Sequence, residues 1–171
     1  MKKIFLPILY LTKLVRYGTI ILMKLSTKST YGLRAMVNIA LGNGKNAVSV
    51  KEISAKEGIS GLYLEQLLNK LRREDLVRSV RGPAGGYVLS RRPGKITVGD
   101  IVKTLEGRIS PVDCVAGRES WKAVCGKSKN CVSRVVWMKL AKAINDCLES
   151  VTLSDLCKES KKAPGAGPKS A

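Results

Sequence analysis

The side chains of this chain whose types and spacing could do chemistry are first of all its cysteines. Cys114, Cys125 and Cys131 are separated by ten and then five residues, in a stretch rich in Gly, Lys and Ser. A flexible loop of that kind can bring three thiolates to one metal centre. The chain has five Cys and no His. Without imidazole, Ser-His-Asp and Cys-His catalysis and every zinc site with a histidine ligand are excluded. The usual charge switch near neutral pH is missing as well. Thiolates alone favour an iron–sulfur cluster, zinc or copper(I). No Cys-x-x-Cys pair is present, so spacing leaves two other readings open: three reduced thiols, or a redox disulfide between two of them. The odd count argues against a fully paired disulfide framework. Cys147 follows Cys131 by about 24 Å of ideal helix rise, which makes it a packing residue rather than a further ligand. Cys157 reads as structural. No general base stands in a recognisable arrangement with any thiol, so the chain is not read as an enzyme.

A second set of side chains suits nucleic acid. Tyr63, Glu65, Gln66, Asn69, Lys70, Arg72 and Arg73 fall on the outward face of one amphipathic segment. In a major groove, Gln or Asn suits adenine, Arg or Lys suits guanine, and Glu suits cytosine. Close behind comes Gly82-Pro83-Ala84-Gly85-Gly86, flanked by Arg78, Arg81, Arg91 and Arg92. Gly85 and Gly86 in such a tip let a backbone approach a phosphate or groove wall closely, beside Arg81. The alternative is an ordinary solvated basic face.

Charge favours the nucleic-acid reading. The 171 residues hold 31 Lys+Arg against 13 Asp+Glu, a formal net charge of +18. At 44% hydrophobic residues there is enough apolar material for a core, so this is not a disordered basic tail. Residues 23–95 carry 14 basic and 5 acidic side chains, net +9, whereas 96–157 carry 9 and 7, net +2. A folded basic half joined to a nearly neutral half points to nucleic acid first and an anionic membrane second.

The elements that must position these residues follow from periodicity. Thr30 to Leu41 has Leu33, Met36, Val37 and Ala40 at helical spacing, stopped by Gly42-Asn43-Gly44. Ala47-Val48-Ser49 suits a short strand. Ser49 with Glu52 is a capping box opening a helix with Val50 and Ile53 inward, ended at Gly58. Ser60 suits the cap of the next helix, whose Leu64, Leu67, Leu68 and Leu71 are spaced i, i+3, i+4, i+7. Two short helices joined by Gly58-Ile59-Ser60 match a helix-turn-helix. Residues 76–81 alternate at period two, and Tyr87-Val88-Leu89-Ser90 resumes the strand after the glycine-rich turn. The two together predict a winged helix. Thr97 with Asp100 caps a further helix through Leu105, and 107–130 is irregular. From Cys131 a long helix runs to about Val151, with Val132, Val136, Leu140, Ile144, Leu148 and Val151 as an apolar stripe that expects a symmetry mate. Thr152 with Asp155 suggests a last short helix.

The ends read differently. Residues 1–22 hold four basic and no acidic residues, and the apolar run from Ile4 to Thr12 falls well short of the ~20 residues of a membrane span. No small-x-small cleavage pattern precedes Met23. The segment is read as a non-native leader or disordered arm, and residues 158–171 as a disordered tail. Residues 23–95 then form the DNA-binding domain, and 96–157 the cysteine loop and dimerisation helix.

Several motifs also resemble a known family. Met23-Lys24-Leu25-Ser26, Tyr31-Gly32-Leu33-Arg34-Ala35-Met36, Tyr63-Leu64-Glu65-Gln66-Leu67, Val80-Arg81-Gly82-Pro83-Ala84-Gly85-Gly86-Tyr87 and Ile96-Thr97-Val98-Gly99-Asp100-Ile101 resemble regulators of the Rrf family, in its IscR, NsrR and CymR types. The likeness covers 23–157. It implies a mainly α fold, a winged helix-turn-helix with a small β-hairpin wing, plus a long C-terminal dimerisation helix. It implies a homodimeric cytoplasmic transcription factor, most simply a repressor, on a roughly palindromic double-stranded operator, with no membrane partner. IscR and NsrR types bind an iron–sulfur cluster through three cysteines in this loop, matched here by Cys114, Cys125 and Cys131. The expected cofactor is a 2Fe–2S cluster, or else 4Fe–4S, sensing cluster supply, oxygen or nitric oxide. CymR types lack the triad and answer to a partner protein of cysteine metabolism, which leaves a cluster-free regulator or a thiol–disulfide switch as the alternative. Glu at the place of Glu65 is associated in the family with discrimination between DNA site types. The chain departs from the pattern in its fourth ligand. Arg134 stands where IscR types have histidine, and Thr30 where NsrR types use an acid. Asp113, Glu119, a hydroxyl near Ser29 or Thr30, or an external thiol are the candidates.

Overall fold

A computed structural model describes residues 25–42, 46–107, 109–115 and 131–162. The expected leader, Cys125 and Glu119 lie outside the described residues. The helices are α1 (Thr27–Leu41), α2 (Val50–Glu57), α3 (Gly61–Arg73), α4 (Val98–Glu106), α5 (Arg134–Ser150) and α6 (Leu153–Lys162). Strands β1 (Val77–Val80) and β2 (Gly86–Leu89) stand between α3 and α4. The fold is a mainly helical winged helix, and no described helix is long and apolar enough to cross a membrane.

Local sequence accounts for most element boundaries. Ser49 accepts the Glu52 N–H at 3.2 Å while Glu52 accepts the Ser49 N–H at 2.8 Å. Thr97 and Asp100 repeat this reciprocal pair at 3.0 Å in both directions. Each box satisfies amides that a helix start leaves unpaired. Gly58 ends α2 in the left-handed region at φ 66°, where a Cβ would be strained. Asp75 takes a similar conformation at φ 53° beyond α3, and Leu76 N–H reaches back to the Leu71 carbonyl at 3.0 Å. That turn aims β1 back along the helix it has just left.

Two boundaries differ from expectation. α1 begins at Thr27 with Ser26 as its cap, accepting from Lys28 N–H at 3.1 Å. The polar run Thr27-Lys28-Ser29-Thr30 hides that first turn from apolar periodicity. Ser60 occupies the cap position of α3, but its hydroxyl makes no cap bond. The turn is closed instead by the Ser54 hydroxyl, which donates to the Ile59 carbonyl at 2.6 Å.

The core forms where α1, α3 and α4 meet. Met36, Leu64, Leu68, Leu71, Ile96, Ile101 and Leu153 are fully buried, so α6 returns to the DNA-binding half rather than trailing away. Thr97 bridges Thr152, with Val98 N–H to Val151 O at 2.8 Å and Leu153 N–H to Ile96 O at 2.9 Å. Helix α6 continues to Lys162, so 158–162, expected as part of the tail, is helical. Lys158 pairs with Asp155 at 3.4 Å and Lys162 with Glu159 at 2.8 Å, the spacing a helix makes neighbours.

The stripe on α5 splits. Val132, Val136 and Leu140 are exposed, whereas Ile144, Leu148 and Val151 are partly covered. A row of i+4 steps drifts by about 40° per step on a 3.6-residue helix, so its early members face outward and its late members face α4. The outward apolar face continues through Ala143 to Cys147, both exposed. Cys147 is therefore not the packing residue of this chain's own core that spacing suggested.

Candidate functional site

Helix α3 presents two faces. Leu64, Leu67, Leu68 and Leu71 are 0–2% exposed and lock it to the core. Glu65, Gln66, Lys70, Arg72 and Arg73 are exposed on the other side. Asn69 is partly covered and accepts from Arg72 Nη2 at 3.3 Å, a contact that orders the arginine. Tyr63 differs from the other candidates. It is half-buried, with its ring edge-to-face against Tyr31 at 6.2 Å between centroids. Its hydroxyl lies 3.4 Å from Thr27 Oγ1. Tyr63 thus joins α3 to the start of α1.

The wing stands beside this helix. β1 and β2 pair antiparallel, Val77 with Leu89 through Val80 with Gly86. Val48 adds a third short segment, exchanging hydrogen bonds with Tyr87 at 3.0 and 2.9 Å. Arg78 and Arg81 are exposed, as are Arg91 and Arg92; Arg91 Nη2 also donates to the Glu74 carbonyl at 3.3 Å. The tip glycines have an internal reason to be glycine. A Cβ on Gly85 would stand 2.6 Å from the Val80 carbonyl oxygen, and one on Gly86 would stand 2.3 Å from that of Val48. Their close approach is to this chain's own backbone, whatever else they touch.

The start of α1 is tied down by a residue that sequence reasoning missed. Glu106, the last residue of α4, accepts from Ser26 N–H at 3.1 Å, from Ser29 Oγ at 3.0 Å and from Ser26 Oγ. Burial pushes its carboxyl up, but those hydroxyls and amides outweigh it and hold the group below the usual carboxylate range. Asn38 is likewise missed: nearly buried, it donates to the Arg34 carbonyl at 2.9 Å and to Glu57 Oε1 at 2.7 Å. Asn38 shows itself only as a polar residue among apolar ones, and Glu106 has no local signal.

The cysteines fall on either side of an undescribed stretch. Cys114 sits in a short turn, Asp113–Val115, partly exposed. Its neighbour Val115 lines a cavity of about 330 Å³ with Asn145, Leu148 and Glu149, towards the end of α5. Cys131 precedes the first turn of α5, and Arg134 to Asn145 alone is about 17 Å of helix rise. The described residues thus place Cys131 before the first turn of α5 and Cys114 next to a residue of that cavity. Among the described residues no three His, Cys, Asp or Glu side chains gather into a metal-binding group. Cys131 Sγ lies 3.1 Å from the Ser133 hydroxyl; that contact, then the Arg134 backbone, lowers its thiol from the ordinary value. Burial raises the Cys157 thiol instead, against a smaller opposing effect of Lys161. Of the fourth-ligand candidates, Ser29 is buried and donates to Glu106, Thr30 donates to the Ser26 carbonyl at 3.4 Å, and Asp113 is exposed.

Comparison with known proteins agrees with the winged-helix fold. Residues 25–159 match the family model Rrf2, described as an iron-dependent transcriptional regulator. The chain is 42% identical over 134 residues to the HTH-type transcriptional regulator CymR of Bacillus subtilis, covering 78% of this chain and 89% of that one. The solved structure of that protein, called the global cysteine regulator, gives a TM-score of 0.65 over 80% of this chain and 97% of that one. IscR of Sodalis glossinidius is 39% identical over 134 residues, 78% of each chain. The structure of T. potens IscR has a TM-score of 0.67 at 39% identity, covering 88% of this chain and 96% of that one.

Proposed function

The chain belongs to the Rrf2 family of transcriptional regulators, and from that premise we propose that it is a homodimeric repressor whose hold on DNA is set by an iron–sulfur cluster on Cys114, Cys125 and Cys131. It is a DNA-binding regulator and not an enzyme. The observation that carries the finer reading is the three thiols in the segment joining α4 to α5.

The chemistry of the donor set fits a cluster. Thiolates are its natural ligands, and the described Cys114 and Cys131 are free and reachable by solvent. The Cys131 thiol is eased towards the thiolate by Ser133. Among the described fourth-ligand candidates, exposed Asp113 beside Cys114 is the one not held in a hydrogen bond that anchors α1. When bound, the cluster supplies a centre that iron supply, oxygen or nitric oxide alters. The chain's own residues do the rest. The segment bearing Cys114 leaves α4 immediately after Glu106, which holds the first turn of α1. That turn meets Tyr63 of the recognition helix α3. Gathering Cys114 towards Cys131 must pull on this chain of contacts, so loading changes how α3 is presented. Two recognition helices one DNA turn apart require a roughly palindromic operator. Glu65, exposed on α3, is the candidate for discriminating between site types.

Purification without air, with a visible spectrum and iron and sulfide analysis, tests the cluster. A coloured protein that loses iron and its operator response in Cys114→Ala, Cys125→Ala and Cys131→Ala is expected. Colourless protein with unchanged DNA binding in all three variants defeats the reading. The second reading is a cluster-free regulator controlled by a partner protein or a thiol–disulfide switch. It is favoured by the 42% identity to CymR. A gel shift that needs a partner protein, with no chromophore, would establish it.

A further inference from the structure

Leu62 is 70% exposed, against 49% for Leu25 and 40% for Val80, the other large exposed apolar side chains described in the DNA-binding half. It is the second residue of α3. At 3.6 residues per turn, Leu62, Gln66, Asn69 and Arg73 form one row opposite Leu64, Leu67, Leu68 and Leu71. An isolated exposed leucine on a protein surface is ordinary. This one heads the row turned away from the core, at the N-terminal end of the helix, where helix-turn-helix proteins meet base edges. It can neither donate nor accept a hydrogen bond. On the major-groove edge of a base pair, the apolar group is the C5 methyl of thymine.

We propose that Leu62 is a specificity-determining residue that reads a thymine in each half-site by packing on its methyl group. The inference rests on α3 being the recognition helix. The polar side chains of the row supply hydrogen bonds, and Lys70, Arg72 and Arg73, all exposed, supply attraction to phosphate. Leu62 adds discrimination that neither provides, because cytosine offers an amino donor but no methyl at that edge.

The test removes a single methyl. Wild-type protein is used to select operators from a random duplex pool, and each thymine of the recovered half-site is then replaced by uracil. Uracil keeps every hydrogen-bonding group of thymine. At one position per half-site the wild-type affinity is expected to fall about fourfold, the worth of one buried carbon. Leu62→Ala is expected to bind thymine and uracil equally at that position and to lose its preference for thymine there in a fresh selection. Because the side chain is exposed, the variant should melt with wild type. Equal uracil penalties in wild type and Leu62→Ala, or uracil tolerance everywhere, overturn the proposal alone. Loss of dimerisation in Leu62→Ala with an unchanged uracil profile overturns it by assigning the leucine to a protein contact. Failure of wild type to enrich any sequence overturns the DNA-reading role of α3 and this proposal with it.

Discussion

Glu106 gathers three donors of α1 on one carboxylate oxygen. Those bonds favour its charged form over the protonated one, which is why its acidity is raised despite partial desolvation. Glu106→Gln keeps the shape but removes the charge. The expected loss at neutral pH is about 1 kcal/mol, below the usual worth of hydrogen bonds to a charged group because the side chain is largely exposed. A carboxyl whose folded pKa is depressed stabilises above its unfolded value and loses that contribution as pH falls through the folded one. The gap between wild type and variant in urea unfolding should therefore narrow in acid, and an equal gap at pH 7 and below pH 4 would refute the account. Single residues show where sequence stops being legible. The exposure of Glu65, Gln66, Lys70, Arg72 and Arg73 was legible because helical spacing alone turns them away from the leucines. Tyr63 satisfied the same spacing and turned inward, since its partner Tyr31 lies on another element. Glu106 gave no local sign, because Ser26 stands 80 residues away.

At the scale of elements, the wing depends on one close approach. A methyl group on Gly86 would meet the Val48 carbonyl oxygen at 2.3 Å and the Ser49 amide nitrogen at 2.8 Å, and neither backbone atom can swing aside. Gly86→Ala should cost about 1–3 kcal/mol, as overpacking does, and should weaken binding to DNA by loosening the wing from Val48. Thermal unfolding with a fluorescence titration of duplex DNA measures both, and a variant that matches wild type in each removes the argument. The hairpin itself was legible from its glycines and alternation. What held it was not, since the bridge from Val48 to Tyr87 joins distant segments. The capping boxes at Ser49 and Thr97 were legible because a cap is a three-residue contact. Ser60 has the same residue type in the same position and makes no such bond, because the helix-turn-helix corner is closed from Ser54 instead.

For the whole molecule, the outer face of α5 is the feature that a single chain leaves unexplained. Val132, just before the helix, is 87% exposed, Val136 59% and Leu140 39%. Contiguous apolar surface of this kind marks an interface, in keeping with the proposed homodimer. Val136→Glu with Leu140→Glu should give a monomer by sedimentation and weaken operator binding at least about 100-fold, since linked half-site contacts gain affinity from each other. A double variant that still sediments as a dimer would place the interface elsewhere. Periodicity, capping pairs and regional charge are properties of neighbours along the chain. By themselves they determined the helix-turn-helix, the wing, the basic half and the existence of a long amphipathic helix. Tertiary structure decided which way each amphipathic surface turned. It sent the stripe of α5 outward at one end and inward at the other, and returned α6 to the core through Leu153. Those outcomes depend on contacts between segments far apart in sequence, and no short-range pattern encodes them.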